Sequence, residues 1–134
     1  MTTKLSPTKS ILVVEDDRAL RGALVAILEL EGFRVIEAQN GEDGLRRVIE
    51  ERPGLVFADV MYNGGVMDGY DLVEAMRRHG FKDPAHITTA LSGPEVEERA
   101  KRAGAQSLVR KPYDFEHIFR LAREAVPFEK VPYS

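Results

Sequence analysis

Apolar residues in this chain come in short unbroken runs separated by longer stretches in which they recur every three or four positions. Such runs lie within residues 10–14 and 55–58, and shorter or polar-edged strand segments with apolar or β-branched residues fall at 33–37, 85–89 and 106–109. A run apolar at consecutive positions predicts a strand covered on both faces, as in a parallel sheet. The intervening stretches predict helices. Leu20, Ala23, Leu24, Ile27 and Leu28 share one helical face, as do Leu45, Val48 and Ile49, then Leu72, Val73 and Met76, then Phe115, Ile118, Phe119, Leu121, Ala122 and Ala125.

Helix starts are marked by Asp17, Asn40, Asp68, the capping-box pattern Ser92-x-x-Glu95 with Pro94, and Asp114. Stops are marked by Gly32, Pro53, Gly80, Gly104 and Pro127. Five strands alternating with five helices predict an α/β fold, a parallel sheet with helices on both faces. Residues 10–126 form the predicted domain. Residues 1–9, expected to be disordered, and 127–134 are expected to be tails.

Length and composition narrow this picture. The 134 residues, 43% hydrophobic and 31% charged, fit one globular domain. A net charge of −3 and a pI near 5.7 argue against nucleic-acid binding, which needs a basic face. With no cysteine, disulfide and thiol chemistry are excluded. No apolar run approaches the roughly 20 residues that span a bilayer, and the first residues lack the apolar middle of a signal peptide. The expectation is a cytoplasmic protein without a membrane partner. His79, His86 and His117 lack metal-ligand spacing and are expected at surface or cap positions.

The chemistry gathers at strand ends. Glu15 and Asp16 follow the first strand segment, Asp59 the third, Thr89 ends the fourth and Lys111 follows the fifth. A parallel sheet puts all of them at one carboxyl edge, where open α/β sheets bind ligands. Clustered carboxylates repel, and a hard cation relieves the repulsion; with oxygen ligands alone, Mg²⁺ is the natural choice. An ammonium and a hydroxyl beside such a cation suit a phosphoryl group.

With these residues in place, the sequence closely resembles the response regulator receiver domain over nearly its whole length. The matching motifs are Ile11-Leu12-Val13-Val14-Glu15-Asp16-Asp17, Phe57-Ala58-Asp59, Thr89-Ala90, Gly104-Ala105 and Lys111-Pro112. The resemblance implies a doubly wound, flavodoxin-like sheet of five strands in the order 2-1-3-4-5. It implies that Asp59 accepts phosphate from a sensor histidine kinase or a histidine phosphotransfer protein. It also implies that Asp16, Asp59 and the Met61 backbone carbonyl hold Mg²⁺ with Glu15 in the acidic pair, that Lys111 and Thr89 contact the phosphoryl group, and that the Lys111-Pro112 bond is cis.

Three features depart from the family pattern. The loop from Asp59 to Asp68-Gly69 is about two residues longer, with Tyr62-Asn63 for the usual Met-Pro and Gly64 and Gly65 behind them. Leu108 stands where an aromatic residue is usual. Met61 and Leu91 flank the site with groups that orient no water, so slow loss of phosphate is expected.

Three functions remain open from the sequence. The leading one is a stand-alone receiver, no output domain following, that signals by protein contacts or drains phosphate, with a downstream protein or a second copy bound through the face of helix four, strand five and helix five. The alternative is a pseudo-receiver, an interaction module that is never phosphorylated. A phosphohydrolase is the third, but it usually needs a second acid two residues after the nucleophile, where Met61 stands.

Overall fold

Four consecutive apolar residues on one strand must be covered from two sides, and helices on both faces of the sheet do this. The computed structural model describes residues 2–60 and 66–133. In chain order the elements are β1 (Thr3–Pro7), β2 (Ile11–Val14), α1 (Arg18–Leu30), β3 (Val35–Ala38), α2 (Gly41–Glu51) and β4 (Leu55–Asp59). Then come α3 (Gly69–Arg78), β5 (Ala85–Thr89), α4 (Pro94–Ala103), β6 (Ser107–Arg110), α5 (Phe115–Ala125) and β7 (Phe128–Pro132).

The main sheet is parallel with the order β3-β2-β4-β5-β6, the expected 2-1-3-4-5 once its own five strands are counted. Strand residues alternate between two cores. Leu12, Val14, Val56, Ala58 and Ile87 face α2, α3 and α4 through Val48, Leu72, Val73, Met76 and Ala100. Ile11, Val13, Leu55 and Phe57 face α1 and α5 through Leu24, Leu28, Ile118 and Ala122. Each such side chain contributes about 1.5–3 kcal/mol by leaving water, so the two cores together fix the register that lines up the strand ends.

The helix starts follow local chemistry. Asp17, Asn40 and Asp114 each accept a backbone N–H as N-caps, and Asp68 forms a reciprocal capping box with Asp71. Helix α4 differs from its predicted start. Gly93, at φ 126°, takes the N-cap position with no side-chain bond, so Ser92 does not cap it, although Pro94 is its first residue as expected.

The ends of the chain correct the sequence reading. Residues 1–9 and 127–134 are not free tails in their described parts: β1 and β7 pair antiparallel as a two-stranded ribbon outside the main sheet, Thr3 opposite Pro132 and Pro7 opposite Phe128. The Thr8 N–H donates to the Pro127 carbonyl at 3.0 Å, and the Phe128 ring packs on Phe33 with centroids 5.2 Å apart. Those contacts bring the two ends together, and backbone pairing does the rest.

Two side chains are also reassigned. His86 is 5% exposed, lying between the Phe57 ring and the Ser107 hydroxyl at 2.7 Å, not at the surface. Phe115, expected in the core, is 40% exposed at the start of α5.

Candidate functional site

Every strand of the main sheet points the same way, so the residues after β2, β4, β5 and β6 share one edge. Backbone bonds across the sheet align them. The Glu15 N–H donates to the Ala38 carbonyl (3.0 Å), Val60 N–H to Thr88 (3.3 Å), and Lys111 N–H to Thr89 (2.9 Å). Glu15, Asp16, Asp17, Leu20, Asp59, Thr89, Ala90, Leu91 and Lys111 line a crevice of about 390 Å³ at this edge.

Lys111 bridges two of the acids that line it. Its Nζ donates to Glu15 Oε1 at 2.5 Å and to Asp59 Oδ1 at 2.9 Å. Both carboxylates are buried, with side chains 4% and 7% exposed. Two buried acids around one cation leave an excess negative charge, and taking a carboxylate out of water is costly. Burial accordingly raises the Glu15 carboxyl above its ordinary value, against the opposing effect of the Lys111 hydrogen bond, and the nearby Asp59 charge adds to the rise. For Lys111, burial works to lower the ammonium, but its bonds to Glu15 and Asp59 prevail and hold it above its ordinary value.

Among the described residues, one group of acids could hold a metal ion: Glu15, Asp16 and Asp59 each offer an oxygen, and all lie within 4.8 Å of one another. An all-oxygen donor set with excess negative charge fits a hard divalent cation such as Mg²⁺. Asp16 is half-buried against the crevice. Met61, whose carbonyl the resemblance assigns to the metal, lies outside the described residues, as do Tyr62, Asn63, Gly64 and Gly65.

Thr89 is 1% exposed, and its hydroxyl accepts the Leu91 N–H at 3.0 Å, leaving its own hydrogen to donate toward the crevice. Arg110 reaches over the same turn to the Leu91 carbonyl (3.5 Å) and pairs with Glu97 (3.7 Å). The Lys111-Pro112 peptide is cis, as the resemblance implies. Leu108 packs half-buried against the core on the α4 side.

Several supporting residues escaped the sequence reading. Arg21 of α1 donates to the Glu15 carbonyl at 2.7 Å and pairs with Glu37 at 3.1 Å. The Asp17 N–H donates to Glu15 Oε2 at 3.2 Å. The Glu42 carboxylate accepts the Val66 and Met67 N–H groups at 3.0 and 2.5 Å, fastening the far end of the loop after Asp59 to the start of α2. Gly69 is required there because a side chain at this position would overlap the Asp59 carbonyl. Tyr113 lies half-buried beyond Lys111, and burial raises its phenol against the opposing effect of the nearby Thr88 hydroxyl.

Known proteins resemble this chain in sequence and fold. The chain is 45% identical over 103 residues to the transcriptional regulatory protein AfsQ1 of Streptomyces coelicolor, covering 77% of this chain and 44% of that one. It is 29% identical over 121 residues to the sporulation initiation phosphotransferase F of Bacillus subtilis, covering 90% of this chain and 96% of the relative. The crystal structure of the receiver domain of NtrX from Brucella abortus superimposes with a TM-score of 0.79 at 27% identity, over 87% of this chain and 97% of that one. Against other curated relatives the chain spans much less of their length, 26% and 28% in two cases. The response regulator receiver domain matches residues 11–123, and the chain belongs to that family of two-component signalling domains.

Proposed function

We propose that this receiver accepts a phosphoryl group on Asp59, with Mg²⁺ bound, from a sensor histidine kinase or a histidine phosphotransfer protein. The observation that carries the reading is the Lys111 ammonium shared between Glu15 and Asp59 at the same edge as Asp16 and Thr89. Receiver domains as a class bind Mg²⁺ at an acidic pocket and work with such donors.

In the transfer, an Asp59 carboxylate oxygen attacks phosphorus in line. The new P–O bond forms as the P–N bond to the donor imidazole breaks, and the bonding pair leaves with the imidazole nitrogen. Mg²⁺, when held by Asp16, Asp59 and the Met61 carbonyl with Glu15 in the acidic cluster, supplies charge neutralisation to the transferring group. Lys111 exchanges its bond to Asp59 for one to a phosphoryl oxygen, and the Thr89 hydroxyl donates to another. Because these donors are already in place, little reorganisation accompanies the step.

Thr89 and Leu91 sit on the turn into α4, so a hydroxyl drawn toward the phosphoryl group alters that turn's bonds. Signalling then runs through the face of α4, β6 and α5, where Leu91 and Phe115 are 50% and 40% exposed, toward a downstream protein or a second copy. Draining phosphate from the donor is the other use of the same chemistry. Leu91 at the crevice mouth cannot orient an attacking water, so the phosphorylated form is long-lived; a half-life of seconds in the purified protein contradicts this.

The test is incubation with Mg²⁺ and acetyl phosphate, read on a phosphate-affinity gel beside Asp59→Asn. Uptake that needs Mg²⁺ and is lost in the variant supports the proposal. No uptake from any donor leaves the pseudo-receiver, and release of phosphate over many turnovers indicates a phosphohydrolase.

A further inference from the structure

We propose that a crevice at the amino edge of the main sheet, opposite the edge that carries Asp59, is a binding site for the phosphate group of a small molecule. The site stands apart from the receiver chemistry and does not depend on it.

The crevice, of about 390 Å³, lies where the chain enters β2 and β3 and leaves α2. Lys9, Ser10, Arg34, Ile36, Glu51 and Arg52 line it. Backbone bonds hold its walls together: the Ile11 N–H donates to the Arg34 carbonyl and the Gly54 N–H to the Ser10 carbonyl, both at 2.9 Å. Gly54 also leaves room for the Lys9 stem, which a side chain there would approach to 3.0 Å.

Charge in the crevice is unbalanced. Lys9 reaches Asp83 at 3.4 Å, and Glu51 is paired with Arg47 at 2.8 Å. Among the described residues no carboxylate pairs with Arg34 or Arg52. The Arg52 guanidinium lies over the Phe81 ring, 5.6 Å from its centroid, which steadies it and leaves its N–H edge free to donate. Three cations therefore face one already paired acid and the negative end of α2, in a chain of net charge −3. Arg52 is also the one non-glycine among the described residues at positive φ, 47°. A glycine would take that conformation without strain.

Ser10 supplies the independent observation. It is 8% exposed and lines the crevice, and its hydroxyl makes no hydrogen bond among the described residues. Buried hydroxyls are ordinarily bonded, and a ligand oxygen in the crevice supplies the partner. Two guanidinium forks, an ammonium and a hydroxyl match a tetrahedral dianion with three terminal oxygens; a single carboxylate would leave donors unused. The space exceeds one phosphate ion, and half-buried Ile36 gives the rest of an ester an apolar wall.

The test titrates the full chain, in EDTA, with inorganic phosphate and with phenyl phosphate, and with sodium chloride at matched ionic strength as the control for charge alone. Backbone amide shifts in NMR locate the ligand and give its affinity. The variants are Ser10→Ala, Arg34→Gln and Arg52→Gly, the last removing the guanidinium while relieving the positive φ, so that the fold is kept. Urea unfolding checks each variant.

Saturating shifts are expected at the amides of Ser10, Arg34 and Gly54. Arg34→Gln and Arg52→Gly each weaken binding about tenfold, the scale of a lost charge-assisted hydrogen bond, and Ser10→Ala about threefold. Tighter binding of phenyl phosphate assigns the site to an organic phosphate and equal binding to the free ion; either supports the proposal. Absence of saturable shifts, shifts confined to Thr89 and Lys111, or shifts that chloride reproduces overturn it. So does an affinity indifferent to Ser10→Ala and to Arg52→Gly.

Discussion

Two half-buried cations, one at each end of the main sheet, are compensated differently. Lys111, at the carboxyl edge, bonds two carboxylates and is held above its ordinary pKa. Arg77, at the opposite end of α3, bonds no carboxylate. It donates to the Gly104, Phe81 and Asp83 carbonyls at 3.1, 2.9 and 2.9 Å and to the Gln106 side-chain oxygen at 3.2 Å, and burial pulls it below its ordinary value. Carbonyls of the main chain cannot leave, so Arg77 is a fixed tie between α3 and the entries to β5 and β6. On the proposed reading, the Asp59 carboxylate can hand its ammonium over when it gains a phosphoryl group. That reading makes one end of the sheet a place of exchange and the other a fixed tie.

Substituting the two cations separates the ends most sharply. Lys111→Met is expected to slow phosphorylation by acetyl phosphate about 10²–10³-fold, as for loss of a donor that meets transition-state charge. Arg77→Met is expected to cost about 2–3 kcal/mol of stability by urea unfolding, since several acceptors lose their partner at once, with the rate per folded molecule unchanged. A slow but fully stable Arg77→Met protein, or an unstable and fast Lys111→Met one, breaks the comparison.

His86, on the α5 side of the same sheet, adds a pH dependence. Burial lowers its imidazole to about 4 from the ordinary 6.5, with His117 nearby adding to the effect. Below pH 6.5 the unfolded chain binds a proton that the folded one refuses. Stability is therefore complete above about 6.5 and is lost progressively as pH falls toward 4, by about 3 kcal/mol at most. Urea midpoints followed from pH 7.5 down to about 4 should show this slope and lose it in His86→Phe. The smallest expected effect is at the start of α3: Asp68→Ala removes the capping box and about 1 kcal/mol, measured the same way.

What the sequence displayed and what it hid follow from the range of the interactions. Caps such as Asp17, Asn40, Asp68 and Asp114 were legible because each bonds within three residues of itself. The main sheet was legible because two-sided burial leaves continuous apolar runs at 11–14 and 55–58, with three shorter strand segments alternating with helical patterns. Glu15, Asp16, Asp59, Thr89 and Lys111 were legible because parallel strands bring their ends to one edge. The β1–β7 ribbon was not, since its partners lie at opposite ends of the chain and Thr3 to Pro7 carries no apolar pattern. Arg21 gave no signal beyond an ordinary helix arginine; only its bond to the Glu15 carbonyl gives it a role. His86 could have been placed correctly: a strand buried on both faces buries its histidine too.

The central claim is that Asp59 is the acceptor, and the most direct measurement locates the modified atom. Protein incubated with Mg²⁺ and acetyl phosphate is reduced with borohydride, which converts an aspartyl phosphate to homoserine, and its peptides are then sequenced by mass spectrometry. Homoserine at position 59 alone, absent when Mg²⁺ is chelated, is the expected result. Homoserine at Asp16 or another acid, or none after phosphate uptake has been seen, contradicts it.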